Sequence, residues 1–276
     1  MAHLSINVPL VSVEWLHSNL NSDNLIILDA TIKKVVGGDD SKSEVQIPNI
    51  RFFDLKEAFS DASAPFPTTF PSEQQFTNSA RILGINKDSA IVVYDDQGIY
   101  SSARVWWLFK AMGHENVAVL NGGLPDWINS GFETESKNEK KLSSGNFEAH
   151  YKPELMKYFD DVKKASSEKS HIIIDARSEA RFKSLEAEPR KGLRSGTIPN
   201  SVNLPFEDLL DGNQLLSKES IEAKFIKLAK KEDTIIFSCG SGITACVLAL
   251  GADISGYKNI SVYDGSWTEW GSLVPE

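Results

Sequence analysis

The feature that most constrains this chain is a register repeated without a gap. From the second strand-like run onward, the second half follows the first at a constant offset. Tyr94 falls on Phe237, Gly113 on Gly256, Asn116 on Asn259, Gly122 on Gly265 and Trp127 on Trp270, each pair 237 − 94 = 143 residues apart. A match held that far at one offset means two copies of one structural unit. Each copy alternates short apolar runs with helical patterns. The runs Leu25 to Leu28, Ala90 to Tyr94 and Val117 to Leu120 belong to the first copy, and Ile172 to Ala176 and Thr234 to Ser238 to the second. Runs of that length with little alternation read as strands buried on both faces, which implies α/β domains with a mainly parallel sheet and helices on both faces.

Local signals punctuate the plan. Ser12 is the expected N-cap of a helix through Leu20, and Ser72 with Gln75 forms the pattern of a capping box for a helix stopping near Gly84. An apolar helix from Ser102 to Met112 is closed by Gly113, and one from Ala245 to Ile254 ends near Gly256. The turn Ile47-Pro48-Asn49 recurs as Ile198-Pro199-Asn200. The polar stretch beginning at Ser136 reads as a linker. The expected division is therefore a first domain over 1–135, a linker over 136–155 and a second domain over 156–276.

Charge and cysteine content narrow the function classes. The net charge of −9 argues against nucleic acid and anionic membranes as partners, so an anionic substrate needs a local cluster of arginines. No apolar run reaches membrane-spanning length, and the opening Met1-Ala2-His3-Leu4-Ser5 lacks the pattern of a secretory signal. Two cysteines seven residues apart make no disulfide framework, which fits a reducing, cytoplasmic setting, with an organellar address left open. The five histidines are scattered without metal-ligand spacing, so neither metal nor cofactor is expected.

The chemistry concentrates in Cys239-Gly240-Ser241-Gly242-Ile243-Thr244, between the strand ending at Ser238 and the helix beginning at Ala245. Two glycines free the backbone there, and amides at a helix N-terminus that lack helical partners can turn inward and stabilise a thiolate. From the loop alone, a small core cysteine and a phosphate-binding turn that ignores the thiol stay open as alternatives. At offset 143 the first copy carries Asp96 in place of Cys239 (239 − 143 = 96), and a carboxylate cannot act as a sulfur nucleophile. The first copy then keeps the fold without the chemistry and is expected to cover one side of a site between domains.

The second copy is also longer after its first strand. It spends 198 − 175 = 23 positions reaching the Ile-Pro-Asn turn, against 47 − 29 = 18 in the first copy. The excursion carries Arg181 and Arg190, with Arg194 just beyond, at the sheet end where open α/β folds bind ligands. A guanidinium pair can clamp a carboxylate. On the residues alone, a solvated loop whose arginines are balanced by Glu186 and Glu188 is the preferred reading.

The tandem repeat, Asp175-Ala176-Arg177 after a strand, Cys239 to Ala245, Ser101 to Trp107 and Asp264-Gly265-Ser266-Trp267 together resemble the two-domain rhodanese-type sulfurtransferases, and the loop looks most like that of the 3-mercaptopyruvate sulfurtransferases. The resemblance covers nearly the whole chain. It implies an enzyme that takes sulfane sulfur from 3-mercaptopyruvate as a persulfide on Cys239, releases pyruvate and passes the sulfur to thioredoxin, a small thiol or cyanide. Ser241 and Thr244 become candidates to orient sulfur or deliver a proton, with a helix-start hydrogen bond as the plainer reading of Thr244. Gly240, Gly242 and Ile243 would line the donor. Matching Arg-Phe and Glu-Pro-Arg, Arg181 and Arg190 would hold it, which reverses the preference for a solvated loop. Thiosulfate-preferring relatives carry basic residues directly after the cysteine, where this chain has Gly240 and Ser241.

The alternatives are a thiosulfate:cyanide sulfurtransferase, aided by Lys183 or Lys191 turned inward, and a non-enzymatic persulfide carrier. A cysteine phosphatase would need arginine at position 245, which is Ala245. One departure stands out. Some members are proposed to use a His and Asp relay from the first domain, and here the matching positions hold Lys56 and Thr68. Trp267, after the Asp264-Gly265 turn, is the tryptophan expected nearest the pocket rim, and Asp175 and Arg177 are expected to position the framework.

Overall fold

The apolar runs form the strands they predict; at the offset of 143 Val117–Leu120 falls on Ile260–Tyr263 and Ala90–Tyr94 overlaps Ile235–Ser238, while the earlier strands lie further apart. A computed structural model of the chain describes residues 3–33, 43–138 and 142–275. Positions 34–42 of the first excursion, 139–141 of the expected linker, and the chain ends at 1–2 and 276 lie outside the described residues. The chain divides into two units. The first comprises Met1–Asp61, Phe70–Lys152 and Asp211–Leu215; the second comprises Ala62–Thr69, Pro153–Leu210 and Leu216–Glu276. Each half therefore lends a short segment to the other unit.

The first unit runs β1 (Leu10–Val11), α1 (Val13–Asn19), β2 (Leu25–Asp29), β3 (Val45–Gln46), β4 (Arg51–Phe52), α2 (Glu73–Ile82), β5 (Ala90–Tyr94), α3 (Ser102–Ala111), β6 (Val117–Leu120), α4 (Gly123–Asn129) and β7 (Glu135–Ser136). Its main sheet has the order β1-β6-β5-β2-β4, with every pairing parallel. Ser12 caps α1 by accepting from the Trp15 amide. The expected capping box at α2 is only half formed. Ser72 accepts from the Gln75 amide, but the Gln75 side chain donates to the carbonyls of Ala58 and Ser60 instead of turning back to the cap. Those two carbonyls belong to a loop that needs partners, and the amide reaches them.

The second unit runs β8 (Met156–Lys157), α5 (Phe159–Glu168), β9 (Ile172–Asp175), α6 (Glu179–Phe182), β10 (Ser201–Asn203), β11 (Leu210–Asp211), β12 (Gln214–Leu215), α7 (Lys218–Phe225), β13 (Ile235–Ser238), α8 (Ala245–Ile254), β14 (Ile260–Tyr263) and α9 (Ser266–Leu273), with the β11 and β12 hairpin passing to the first unit. Its sheet order is β8-β14-β13-β9-β10, again parallel throughout. The repeated Ile-Pro-Asn turns share a backbone shape, with Asn49 at φ 64° and Asn200 at φ 62°, the left-handed region that asparagine tolerates.

Two elements position the site. Strand β13 is central, and Ile235, Ile236 and Phe237 are wholly buried, each side chain contributing about 1.5–3 kcal/mol of apolar burial. Helix α8 is buried from Ala245 to Ala252, so it packs on more than one face. The Cys239 loop is thus held between two elements that cannot shift without opening the core.

Candidate active site

Cys239 follows β13 directly and is 2% exposed. Its loop is tied down by the first turn of α9. The Ser266 hydroxyl accepts from the amides of Cys239 and Gly242, at 3.1 Å each, lies 4.0 Å from the Cys239 sulfur and donates to the Tyr263 carbonyl at 2.9 Å. The Trp267 amide donates to the Cys239 carbonyl at 2.9 Å. The Thr268 amide and hydroxyl both donate to the Gly240 carbonyl, at 2.9 and 2.5 Å. Three successive residues thus hold the first two of the loop. Gly242 adopts φ 75°, which a side chain would strain. The amides of Cys239 and Gly242 are spent on Ser266. Those of Gly240, Ser241, Ile243 and Thr244 make no hydrogen bond among the described residues, so four donors stay at the N-terminus of α8. Thr244 makes no side-chain cap bond to α8. The Cys246 thiol, one turn along, donates to the Gly242 carbonyl, and both cysteines are free and buried.

The excursion comes back to this loop. A Cβ placed on Gly240 would lie 3.2 Å from Arg181 Nη2 and 3.8 Å from Arg190 Nη1. Arg190 Nη1 also donates to the Thr268 hydroxyl at 3.0 Å, so one hydroxyl links this guanidinium to the Gly240 carbonyl. Behind them lies a buried ion cluster. Arg177 grips both oxygens of Asp175, donates to Glu188 at 2.7 Å and reaches the Gly196 carbonyl. Burial works against the Arg177 charge, and the Asp175 and Glu188 carboxylates overcome it, so the guanidinium stays above its ordinary range. The other Glu188 oxygen accepts from Arg181 Nη2 at 2.6 Å. The third arginine goes elsewhere: Arg194 bonds the Val274 and Ser195 carbonyls and lies over the Trp267 ring. Trp267 is wholly buried, with the Arg177 guanidinium also 4.7 Å from its ring. It is therefore a core anchor and not part of a rim. Lys183 is exposed and paired with Glu179, and Lys191 is exposed.

A rhodanese-like domain matches this chain twice, over residues 12–130 and 159–273. The chain belongs to the tandem rhodanese-domain sulfurtransferases. It is 40% identical to "Thiosulfate/3-mercaptopyruvate sulfurtransferase 1, mitochondrial" of Arabidopsis thaliana over 298 residues, covering 97% of this chain and 77% of that protein. It is 36% identical to the human 3-mercaptopyruvate sulfurtransferase over 273 residues, covering 95% and 91%. The crystal structure of an Escherichia coli 3-mercaptopyruvate sulfotransferase superposes with a TM-score of 0.84 at 33% identity, covering 95% of this chain and 99% of that one. The protein is a sulfurtransferase that moves sulfane sulfur through a cysteine persulfide.

The matching loop of this tandem sulfurtransferase's first copy carries Asp95 and Asp96 in place of Ser238 and Cys239. Asp95, which matches Ser238, turns its carboxylate into its own loop. Oδ2 accepts from the amides of Tyr100 and Ser102 at 2.9 Å each, and Oδ1 from that of Gln97 at 3.0 Å. Those positions match Ile243, Ala245 and Gly240 (100 + 143, 102 + 143 and 97 + 143). In the first copy, the amides that match those of Gly240, Ile243 and Ala245 are thus taken by an internal carboxylate. Asp96 adds a carboxyl whose pKa is raised by burial and by the neighbouring Asp95 and Asp29.

Reading the residues alone missed Ser266 and Thr268. The repeat did carry a signal for Ser266. Gly123 (φ 54°) matches it at offset 143, and Ser266 keeps the same left-handed backbone (φ 50°), which a residue with a side chain adopts only against strain. The relay position also has a place in the fold. Thr68, at φ 58° in the segment Ala62–Thr69, donates its hydroxyl to the Ser241 carbonyl at 3.0 Å.

Proposed function

We propose that this enzyme takes sulfur from 3-mercaptopyruvate on Cys239, with Arg181 and Arg190 as the donor clamp. The observation that carries this reading is the approach of both guanidinium groups to Gly240, the residue next to the sulfur. A single carboxylate with an adjacent ketone suits such a pair, because guanidinium donors come in a planar fork. Gly240 has no side chain to block that approach, and Gly242 and Ile243 complete the wall around the donor.

The Cys239 thiolate attacks the donor sulfur. The new S–S bond forms as the C–S bond breaks, and the electron pair of that bond leaves on the pyruvate enolate. The free loop amides and the α8 dipole stabilise the sulfur anion, and the arginines share the enolate charge. The proton of the transferred SH passes to the enolate carbon, yielding pyruvate and an anionic persulfide, with the Ser241 and Thr244 hydroxyls as candidates to orient the sulfur or carry the proton. Attack on the outer sulfur by a thiol of thioredoxin, a small thiol or cyanide restores the Cys239 thiolate.

The first domain, 1–135, is the non-catalytic copy, joined through a linker over 136–155 to the catalytic domain over 156–276; the Asp95 carboxylate inside the first loop supports this division. Two cysteines outside any disulfide fit a reducing compartment, the cytoplasm or an organelle. Thiosulfate is the competing donor, and exposed Lys183 and Lys191 favour it little.

The test is steady-state transfer from 3-mercaptopyruvate and from thiosulfate to one acceptor. Wild-type protein should prefer 3-mercaptopyruvate, Arg190→Ala should raise its KM at least tenfold, and Cys239→Ser should abolish turnover. Residual turnover in the serine variant would sink the nucleophile, and an unchanged KM would sink the clamp.

A further inference from the structure

We infer that Glu188 sets the donor specificity of the clamp: it cancels one of the two positive charges that Arg181 and Arg190 bring to Gly240, so the site matches a donor with one negative charge and discriminates against a dianion. The inference rests on the clamp reading above and goes beyond it to a residue that need touch no donor atom.

The Glu188 side chain is 1% exposed, yet it sits in an excursion whose flanking residues are exposed from Lys183 to Ala187 and at Pro189. A carboxylate pays heavily for such burial unless its partners are charged and well aligned. Here one oxygen takes Arg177 at 2.7 Å and the other takes Arg181 at 2.6 Å. Arg177 is already matched by Asp175 at 2.7 Å. The inner cluster therefore holds two guanidinium groups and two carboxylates, and the Arg181 charge is neutralised where it faces the loop.

The two donors differ in what they need. 3-Mercaptopyruvate at neutral pH carries one carboxylate, its thiol protonated, because a thiol has an ordinary pKa of about 8.5. Thiosulfate carries two charges. Beside two guanidinium groups of which one is already neutralised, a surplus negative charge is costly, and rejecting it is as effective a source of specificity as binding the right donor. Glu188 does this while also locking the Arg181 fork in one orientation.

The experiment measures kcat/KM for both donors, with one acceptor, on the full-length protein and its variants. The ratio of the two values on one preparation is independent of how much of that preparation is active, so a loss of folded protein cannot mimic the effect. Glu188→Gln keeps the shape and removes the charge. It should raise the thiosulfate-to-mercaptopyruvate ratio about tenfold, through a lower thiosulfate KM that rises more steeply with salt. Glu188→Asp keeps the charge and should keep the wild-type ratio even at lower total activity.

Should Glu188→Gln fail to fold, Arg181→Gln and the double variant Arg181→Gln/Glu188→Gln carry the test. The single change should lower the ratio and the double change should restore it, since removing both members of an ion pair is milder than removing one. A ratio within twofold of wild type in Glu188→Gln, or the same shift in Glu188→Asp, overturns the inference while leaving the clamp intact. An Arg190→Ala variant with unchanged mercaptopyruvate KM overturns the clamp and this inference together.

Discussion

Single hydroxyls and carboxyls set the behaviour of both loops. Thr268 connects Arg190 to the Gly240 carbonyl through one oxygen. Thr268→Val keeps the shape and removes the connection, and a hydrogen bond to a charged group contributes about 1.5–3 kcal/mol. The variant should lower kcat/KM for 3-mercaptopyruvate about tenfold, mostly through KM, while the rate of Cys239 alkylation stays near wild type. In the first copy, burial and nearby carboxylates raise the pKa of Asp96. A raised folded pKa means that the protonated form is favoured, so stability present at low pH is lost as pH rises through that pKa. Asp96→Asn should therefore raise Tm on the order of 2 °C at pH 7, with no gain at pH 3.5; thermal melts at the two pH values check the sign.

At the scale of elements, the site is two strand ends and two helix starts locked by charge and hydrogen bonding. The Arg177 side chain is wholly buried, and its bonds to Asp175, Glu188 and the Gly196 carbonyl tie the end of β9 to the excursion. Arg177→Met would leave the buried Asp175 carboxylate without a guanidinium and take one of the two that hold Glu188, and breaking a buried pair from one side costs about 3–5 kcal/mol. Urea unfolding should show that loss, with donor KM rising in whatever protein still folds. The elements themselves were legible. The bounds of β5, β6 and α8 are those of the apolar runs, because strands buried on both faces leave little room for polar residues. What the pattern could not show is where a side chain goes when two partners compete, as at Gln75, whose amide serves the Ala58 and Ser60 carbonyls and not its own helix.

Across the whole molecule the units trade short segments. Ala62–Thr69 belongs with the second unit, and it brings Thr68 to the Ser241 carbonyl. Replacing Ala62–Thr69 with a Gly/Ser linker of equal length should leave the first unit folded by circular dichroism and reduce sulfur transfer about tenfold. Unchanged transfer would show that the contact does not hold the loop. Among the described residues no helix is long and apolar enough to cross a membrane.

Read alone, the sequence determined the tandem α/β plan, the parallel strands, the cysteine loop and the aspartate at the matching position of the first copy. Those features depend on periodicity and residue type, which are local and repeat at a fixed offset. It also raised the pairing of Glu188 with the arginines, but as a solvated loop. Only the tertiary structure decided that Glu188 is buried between Arg177 and Arg181, that Arg194 is spent on Trp267 and the end of α9, and that Ser266 and Thr268 anchor the loop. Hydrogen bonds and ion pairs between residues 11 to 78 positions apart depend on how the chain closes in space. No periodicity encodes that closure.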